Sequence, residues 1–316
     1  MSFTFQVKSG PVDEALSDNV KRIAGDDRYH TSLRVGRELK KVMKGRNFNA
    51  VVVANGDNYA DALSGAYLAK VKNAPLILVN KNNMEQAQNF IYTHLKHVKK
   101  GQAKSQVYLL GGEKVVPEAM RTELEEYFDI KRIAGSDRFE TNLKILKEAN
   151  VRSGDLLVCS GTGYADSLAA SASGKPIMLV DDMLSDEQKK LIKSLDRGNV
   201  TIIGGYKSVN SNIENACKSL TPTIRIYGED RYKTSLAIAK HFFKNSKSAV
   251  FAYGDNFPDG LCGGVLAEKM NAPLLLINEN NYDFAKQYVR ENTMNKFVVL
   301  GGNRMIPNRT INYIVK

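Results

Sequence analysis

Apolar residues in this chain recur in two alternating modes, short continuous runs and longer stretches at helical spacing. Ala50-Val-Val-Val-Ala54 is apolar at every position, the pattern of a strand buried on both faces of a parallel sheet. Pro75 to Val79 and Val107 to Leu110 are further strands of this kind. Between them lie segments of helical period. Leu33, Val35, Leu39 and Val42 follow a capping Asp27 and stop near Gly45, a small-residue helix spans Ala62 to Lys70, and another runs from Met84 to Leu95. A fourth helix opens at Pro117, in the first turn that proline favours. Arg22 to Gly25 is a short strand ahead of the first helix, and Phe3, Phe5 and Val7 alternate with polar residues as an edge strand would.

The whole order then repeats. Strands are expected at Leu156 to Cys159, Pro176 to Val180 and Val200 to Ile203, and again at Ala249 to Ala252, Pro273 to Ile277 and Phe297 to Leu300. Alternating short strands and helices predict an α/β fold, each unit a Rossmann-like or flavodoxin-like parallel sheet covered on both faces. The repeat is sharpest in Arg22-Ile-Ala-Gly-Asp-Asp-Arg-Tyr-His-Thr-Ser-Leu33, which returns as RIAGSDRFETNL from Arg132 and RIYGEDRYKTSL from Arg225. A spacing of about a hundred residues suits small domains rather than solenoid turns. The chain therefore divides into an arm or edge strand over 1–21 and units over 22–131, 132–224 and 225–316.

Charge adds a partner class. The 316 residues carry a net +11, made up of +6, +1 and +5 over the three units and −1 over residues 1–21, so the middle unit is nearly neutral and an anionic partner is expected. Cys159, Cys217 and Cys262 show neither metal-ligand nor disulfide spacing and are expected as buried thiols, with no metal and no cofactor. No run reaches the length of a membrane span, and Met1-Ser-Phe-Thr-Phe has neither the basic nor the apolar region of a secretory signal, so the sequence as it stands is not expected to be a Sec-exported precursor.

Candidate chemistry gathers where strands end and helices begin. Asp61, Asp166 and Asp259 occupy one equivalent position, two residues after Tyr59, Tyr164 and Phe257. The repeated motif supplies Arg22, Arg132 and Arg225 at its start, and Asp27 with Arg28, Asp137 with Arg138 and Asp230 with Arg231 at its turn. Carboxylate, guanidinium and an aromatic ring suit a groove for sugars or phosphodiesters. The same residues also suit helix caps and ion pairs between units. The Gly-Gly pairs at 111–112, 204–205 and 301–302 read as tight turns rather than phosphate cradles, since no Lys-Ser/Thr follows. Histidines and threonines form no recurring base and nucleophile, so no enzyme is expected.

These landmarks resemble the clostridial cell wall binding repeat 2 family: R-I-x-G-x-D-R-aromatic-x-T, then G-x-x-(Tyr/Phe)-x-D, x-P-(Leu/Ile)-x-L-(Val/Ile) and a terminal Gly-Gly, three times over residues 22–316. The resemblance implies a pseudo-threefold trimer of Rossmann-like repeats within one monomeric chain, anchoring surface-layer and cell-wall proteins to an anionic wall polysaccharide. The fifteen residues above would then face the polymer, chiefly in the first and third repeats. Location at the cell wall or surface follows from it, with no nucleic-acid or membrane partner. Two alternatives stay open: a phage tail or baseplate component recognising the host wall, with residues 1–20 docking a protein partner, and an enzyme binding a nucleotide or sugar phosphate.

Overall fold

The computed structural model describes residues 14–97 and 103–316; the alternating Phe3 to Val7 segment lies outside them. Strands and helices follow one another in three similar rounds. The first is β1 (Val20–Ile23), α1 (Arg28–Val42), β2 (Ala50–Asn55), α2 (Ala60–Val71), β3 (Leu76–Val79), α3 (Met84–His94), β4 (Gln106–Leu110) and α4 (Glu118–Leu124). The second is β5 (Asp129–Ile133), α5 (Arg138–Glu148), β6 (Leu156–Ser160), α6 (Ala165–Ser171), β7 (Ile177–Val180), α7 (Asp186–Lys193), β8 (Val200–Ile203) and α8 (Ser211–Lys218). The third is β9 (Thr223–Ile226), α9 (Arg231–Phe242), β10 (Ser248–Tyr253), α10 (Gly263–Lys269) after a short 3-10 turn at Pro258–Gly260, β11 (Leu274–Ile277), α11 (Asp283–Glu291), β12 (Lys296–Leu300) and α12 (Asn308–Val315). Pro117 stands one residue earlier than its sequence suggested, as the N-cap of α4.

Among the described residues all strands pair in parallel, in three four-stranded sheets ordered β3-β2-β4-β5, β7-β6-β8-β9 and β1-β12-β10-β11. Central strands β2 and β6 are buried at every position, as their uninterrupted apolar runs require. The motif strands β1, β5 and β9 are half-buried edges. Each of them belongs to the preceding unit's sheet: β5 pairs with β4, β9 with β8, and β1 with β12. The sequence period and the sheets are thus offset by one strand. Because Val20 pairs with Phe297 and Ile23 with Leu300, the first motif completes the last sheet and the three units close into a ring.

The motif helix returns to its own unit and covers the opposite edge of the sheet. Buried Ser32 accepts a hydrogen bond from Leu78 N (3.0 Å), and Ser235 does the same for Leu276 N (3.1 Å). Asn142 accepts from Leu179 N (3.0 Å) and also donates to Ser64 Oγ of the first unit (3.0 Å). The small-residue helices α2, α6 and α10 pack against one another around the pseudo-threefold axis. Ser171 of α6 stands where a side chain on Gly264 of α10 would go. Cys159, Cys217 and Cys262 are buried free thiols.

Candidate functional site

Each motif builds the same strand-to-helix turn. Asp27, Asp137 and Asp230 cap their helices, accepting from His30 N, Glu140 N and Lys233 N at 2.7–2.8 Å. The recurring threonines, which no base accompanies, hold the turn from inside: Thr31, Thr141 and Thr234 accept from the backbone of Gly25, Gly135 and Gly228 at 2.9–3.0 Å. The next ring, Tyr29, Phe139 or Tyr232, lies on Gly56, Gly161 or Gly254, where a methyl group would collide with it. Motif spacing is thereby explained residue by residue as local structure.

The motif arginines then join neighbouring units. Arg138 donates to Gly161 O (2.7 Å) in its own unit and to Tyr59 Oη (3.0 Å) in the preceding one, with its guanidinium 5.5 Å from the Tyr59 ring centroid. Arg231 repeats this on Gly254 O (2.9 Å) and Tyr164 Oη (2.6 Å), at 5.3 Å from that ring. Arg28 bonds Gly56 O (2.8 Å) and lies 5.6 Å from the Phe257 centroid, closing the cycle from first unit to last. Tyr59, Tyr164 and Phe257 themselves meet in a triangle, with centroids 5.4–6.0 Å apart and tilted or edge-on geometry.

Arg22, Arg132 and Arg225 serve the seam from the other side, each clamping the Gly-Gly turn of the unit whose sheet it joins. Arg132 donates to Gly111 O (3.0 Å) and Val116 O (2.9 Å) and pairs with Glu118 (3.0 Å). Arg225, with 5% of its side chain exposed, donates to Gly204 O (2.7 Å) and pairs with Glu214 (2.9 Å). Arg22 reaches Gly301 O, Ile306 O and Asn308 Oδ1 at 2.7–2.8 Å. The Gly-Gly pairs are turns shaped by these clamps. Gly111, Gly204 and Gly301 have φ of +96°, +109° and +97°.

Against the same turns lie Asp61, Asp166 and Asp259, which stand inside or at the start of a helix and do not cap it. Burial raises all three carboxyls above the ordinary aspartate range. The motif arginine of the following unit opposes that shift, Arg138 for Asp61, Arg231 for Asp166 and Arg28 for Asp259, with hydrogen bonds from Ser208 to Asp166 and Thr31 to Asp259.

A cleft therefore forms at a seam, between one unit's Tyr-x-Asp and Gly-Gly turns and the next unit's motif. At the seam of the second and third units it has a volume of about 550 Å³ and is lined by Thr162, Tyr164, Asp166, Tyr206, Ser208, Tyr227 and Arg231 among others. Of the residues singled out from the sequence, Tyr164, Asp166, Asp230 and Arg231 line this cleft. Tyr206 and Tyr227 also line it, and repetition gives no sign of them because the pair is present in one copy of the repeat. A second departure of the middle unit was legible: Asp57 and Asp255 accept from Tyr29 and Tyr232, which Asn80 and Asn278 also bond, whereas Thr162 and Phe139 stand in the middle unit.

The sequence profile described as Cell wall binding domain 2 (CWB2) matches residues 22–121, 132–214 and 225–311. The chain is 28% identical over 311 residues to N-acetylmuramoyl-L-alanine amidase LytC of Bacillus subtilis (strain 168), a match covering 96% of this chain and 60% of that protein. It is 28% identical over 284 residues to the amidase enhancer of the same strain, covering 87% of this chain and 37% of that one. The chain thus spans less than two thirds of either relative. Among solved structures, Cwp8 from Clostridium difficile superposes with a TM-score of 0.82 at 24% identity, over 94% of this chain and 51% of that one. Cwp6 from the same organism gives 0.80 at 23%, over 100% and 51%. Both share the fold.

Proposed function

Since this chain belongs to the cell wall binding domain 2 family, we propose that its wall-binding triplet attaches to an anionic polysaccharide of a Gram-positive cell wall and does so without catalysis. The observation that carries this reading is the triplicated seam, which presents carboxylate, guanidinium and aromatic groups at strand ends in three near-copies. An enzyme needs one differentiated constellation, whereas an extended polymer is suited by several related sites on one rigid particle. The recurring aspartates of the motif and the threonines are engaged in holding turns, which leaves them a structural duty.

The +11 net charge supplies long-range attraction to a polyanion, and the first and third units, at +6 and +5, contribute most of it. In this reading Arg22, Arg132 and Arg225 set the shape of the seam, and the polymer meets atoms that line the cleft, Arg231 and Asp166 among them. A pull-down on purified walls, before and after hydrofluoric acid has removed phosphate-linked polymers, tests it. The chain should sediment with intact walls and stay in solution with stripped ones; equal attachment to both would favour a neutral-glycan or protein receptor.

A further inference from the structure

The three seams are not equivalent, and the ring provides its own internal controls. We infer that the cleft between the second and third units is the sugar-recognition subsite of the triplet, with Tyr206 and Tyr227 as its stacking platform. This rests on the wall-polysaccharide reading and narrows it to one place.

Tyr206 and Tyr227 stand on the two sides of the cleft, Tyr206 after the Gly-Gly turn of the second unit and Tyr227 in the motif of the third. Their centroids are 6.3 Å apart, edge-on, and they remain 55% and 51% exposed. Large exposed rings cost hydration, and two at the mouth of one cleft mark a binding surface for a partner with apolar faces. A pyranose offers such faces, with hydroxyls around its edge. Tyr206 is also held in place: it rests on the Arg225 guanidinium at 4.2 Å, and Arg225 is itself fixed by Glu214 and Gly204 O. An immobile ring loses little entropy when a ligand stacks on it.

The competing explanation is that the tyrosines merely cover the arginine clamp. The other two seams argue against it. Arg132 and Arg22 make the same clamp with Glu113 and Asn303 where Tyr206 stands, and with Ala134 and Ala24 where Tyr227 stands. The fold therefore needs no aromatic at either position. Smaller residues also open this cleft: Ser208 replaces Val115 and Met305, and Gly163 replaces Asn58 and Asn256. Thr162 replaces Asp57 and Asp255, which removes a carboxylate from the mouth. Lys207 and Arg231 line the cleft alongside Asp166 and Glu229, so its charge is mixed. That combination fits a sugar ring whose hydroxyls reach Asp166 and whose acidic substituent meets Lys207, and it places specific recognition where net charge is smallest.

The test imports the other seams' own residues. Full-length Tyr206→Asn/Tyr227→Ala, which copies Asn303 and Ala24, is compared with the parent in binding isotherms on purified Clostridium difficile walls. At least a tenfold loss of affinity with unchanged Tm is expected, and Glu113→Tyr/Ala134→Tyr in the variant background should restore part of it. Tyr206→Phe/Tyr227→Phe should bind like the parent. Unchanged affinity of the Asn/Ala variant, while the parent still binds walls, would overturn the subsite and leave wall binding standing. Loss of affinity together with a Tm lowered by several degrees would assign the pair to structure and equally overturn it. Failure of the parent itself to bind intact walls would remove the wall-binding reading and this subsite with it.

Discussion

The Arg28 guanidinium lies 5.6 Å from the ring centroid of Phe257, and through that pair the last unit is locked onto the first. At the other two seams the ring is a tyrosine whose hydroxyl both accepts from the arginine and donates to a glycine carbonyl, Tyr59 to Gly161 O (3.3 Å) and Tyr164 to Gly254 O (3.2 Å). The closing seam lacks that hydroxyl, so its lock is the weakest of the three.

Phe257→Tyr should therefore stabilise the chain by about 0.5–1.5 kcal/mol, the usual net worth of an added hydrogen bond, by bonding Gly56 O and Arg28. Arg138→Ala should cost about 1–3 kcal/mol, since it removes two hydrogen bonds and leaves Gly161 O and Tyr59 Oη only the bond between them, and Arg28→Ala, which removes one, less. Thermal melts of the three variants decide the order. A lower Tm for Phe257→Tyr would mean the hydroxyl finds no partner at that seam.

Shared sheets also predict shared unfolding. Every sheet contains a strand from the neighbouring sequence period, so no unit keeps its own sheet if another melts. Calorimetry should show one transition, with calorimetric and van't Hoff enthalpies equal. The latch at the chain's start can be loosened separately: buried Asn312 accepts from Ser17 N (3.0 Å) and donates to Ala15 O (2.8 Å). Asn312→Ala should lower stability by about 1–3 kcal/mol while leaving the transition single. Two resolved transitions would show that the ring is not one cooperative body.

The Gly-Gly turns offer a contrast within one dipeptide. Gly111 has φ +96°, and a Cβ there would lie 2.6 Å from Asp61 Oδ2, whereas nothing stands within 4 Å of a Cβ on Gly112. Gly111→Ala should cost about 1–3 kcal/mol from backbone strain and that collision. Gly112→Ala should fall within about 0.5 kcal/mol of the parent. Similar losses at both positions would contradict the assigned turn.

How far these features were legible in the sequence depends on what repetition can carry. Buried strands such as Ala50–Asn55 and the capping role of Asp27 follow from local pattern, and a threefold repeat makes them unmistakable. Which sheet the motif strand joins does not follow, because Arg132 to Ile133 reads the same whether it pairs with its own unit or with β4. Arg138 shows the same ambiguity, since a guanidinium beside an aromatic ring and a carboxylate suits a ligand or a seam. Tyr206 and Tyr227 were invisible for the opposite reason: they interrupt the repeat.

Burial of the seam aspartates predicts a pH signature of definite sign. Their folded-state pKa values lie above the unfolded value of 3.8, so the native state binds more protons and loses stability as pH rises through that window. Asp61→Asn is neutral throughout. The Tm of Asp61→Asn minus that of the parent should therefore grow more positive from about pH 4 toward neutrality, where the parent's carboxylate is charged and buried. A difference that is flat in pH, or that falls, would show that Arg138 fully compensates the charge of Asp61.

Salt should divide wall binding into two parts. Contacts that depend on the net charge of +11 act over distance and weaken as the Debye length contracts from ~10 Å at 0.1 M to ~3 Å at 1 M. Stacking of sugar rings on Tyr206 and Tyr227 involves no screened charge and should persist. Affinity for intact walls is thus expected to fall steeply with added salt and then level off, and the plateau should vanish in Tyr206→Asn/Tyr227→Ala. Charge-neutralising clusters in the first or third unit should flatten the initial fall more than the same change in the second, since those units carry +6 and +5 against +1. Binding isotherms from about 0.1 to 1 M salt read both effects. Affinity that ignores salt from the outset would remove the electrostatic component and leave the aromatic cleft as the whole of the attachment.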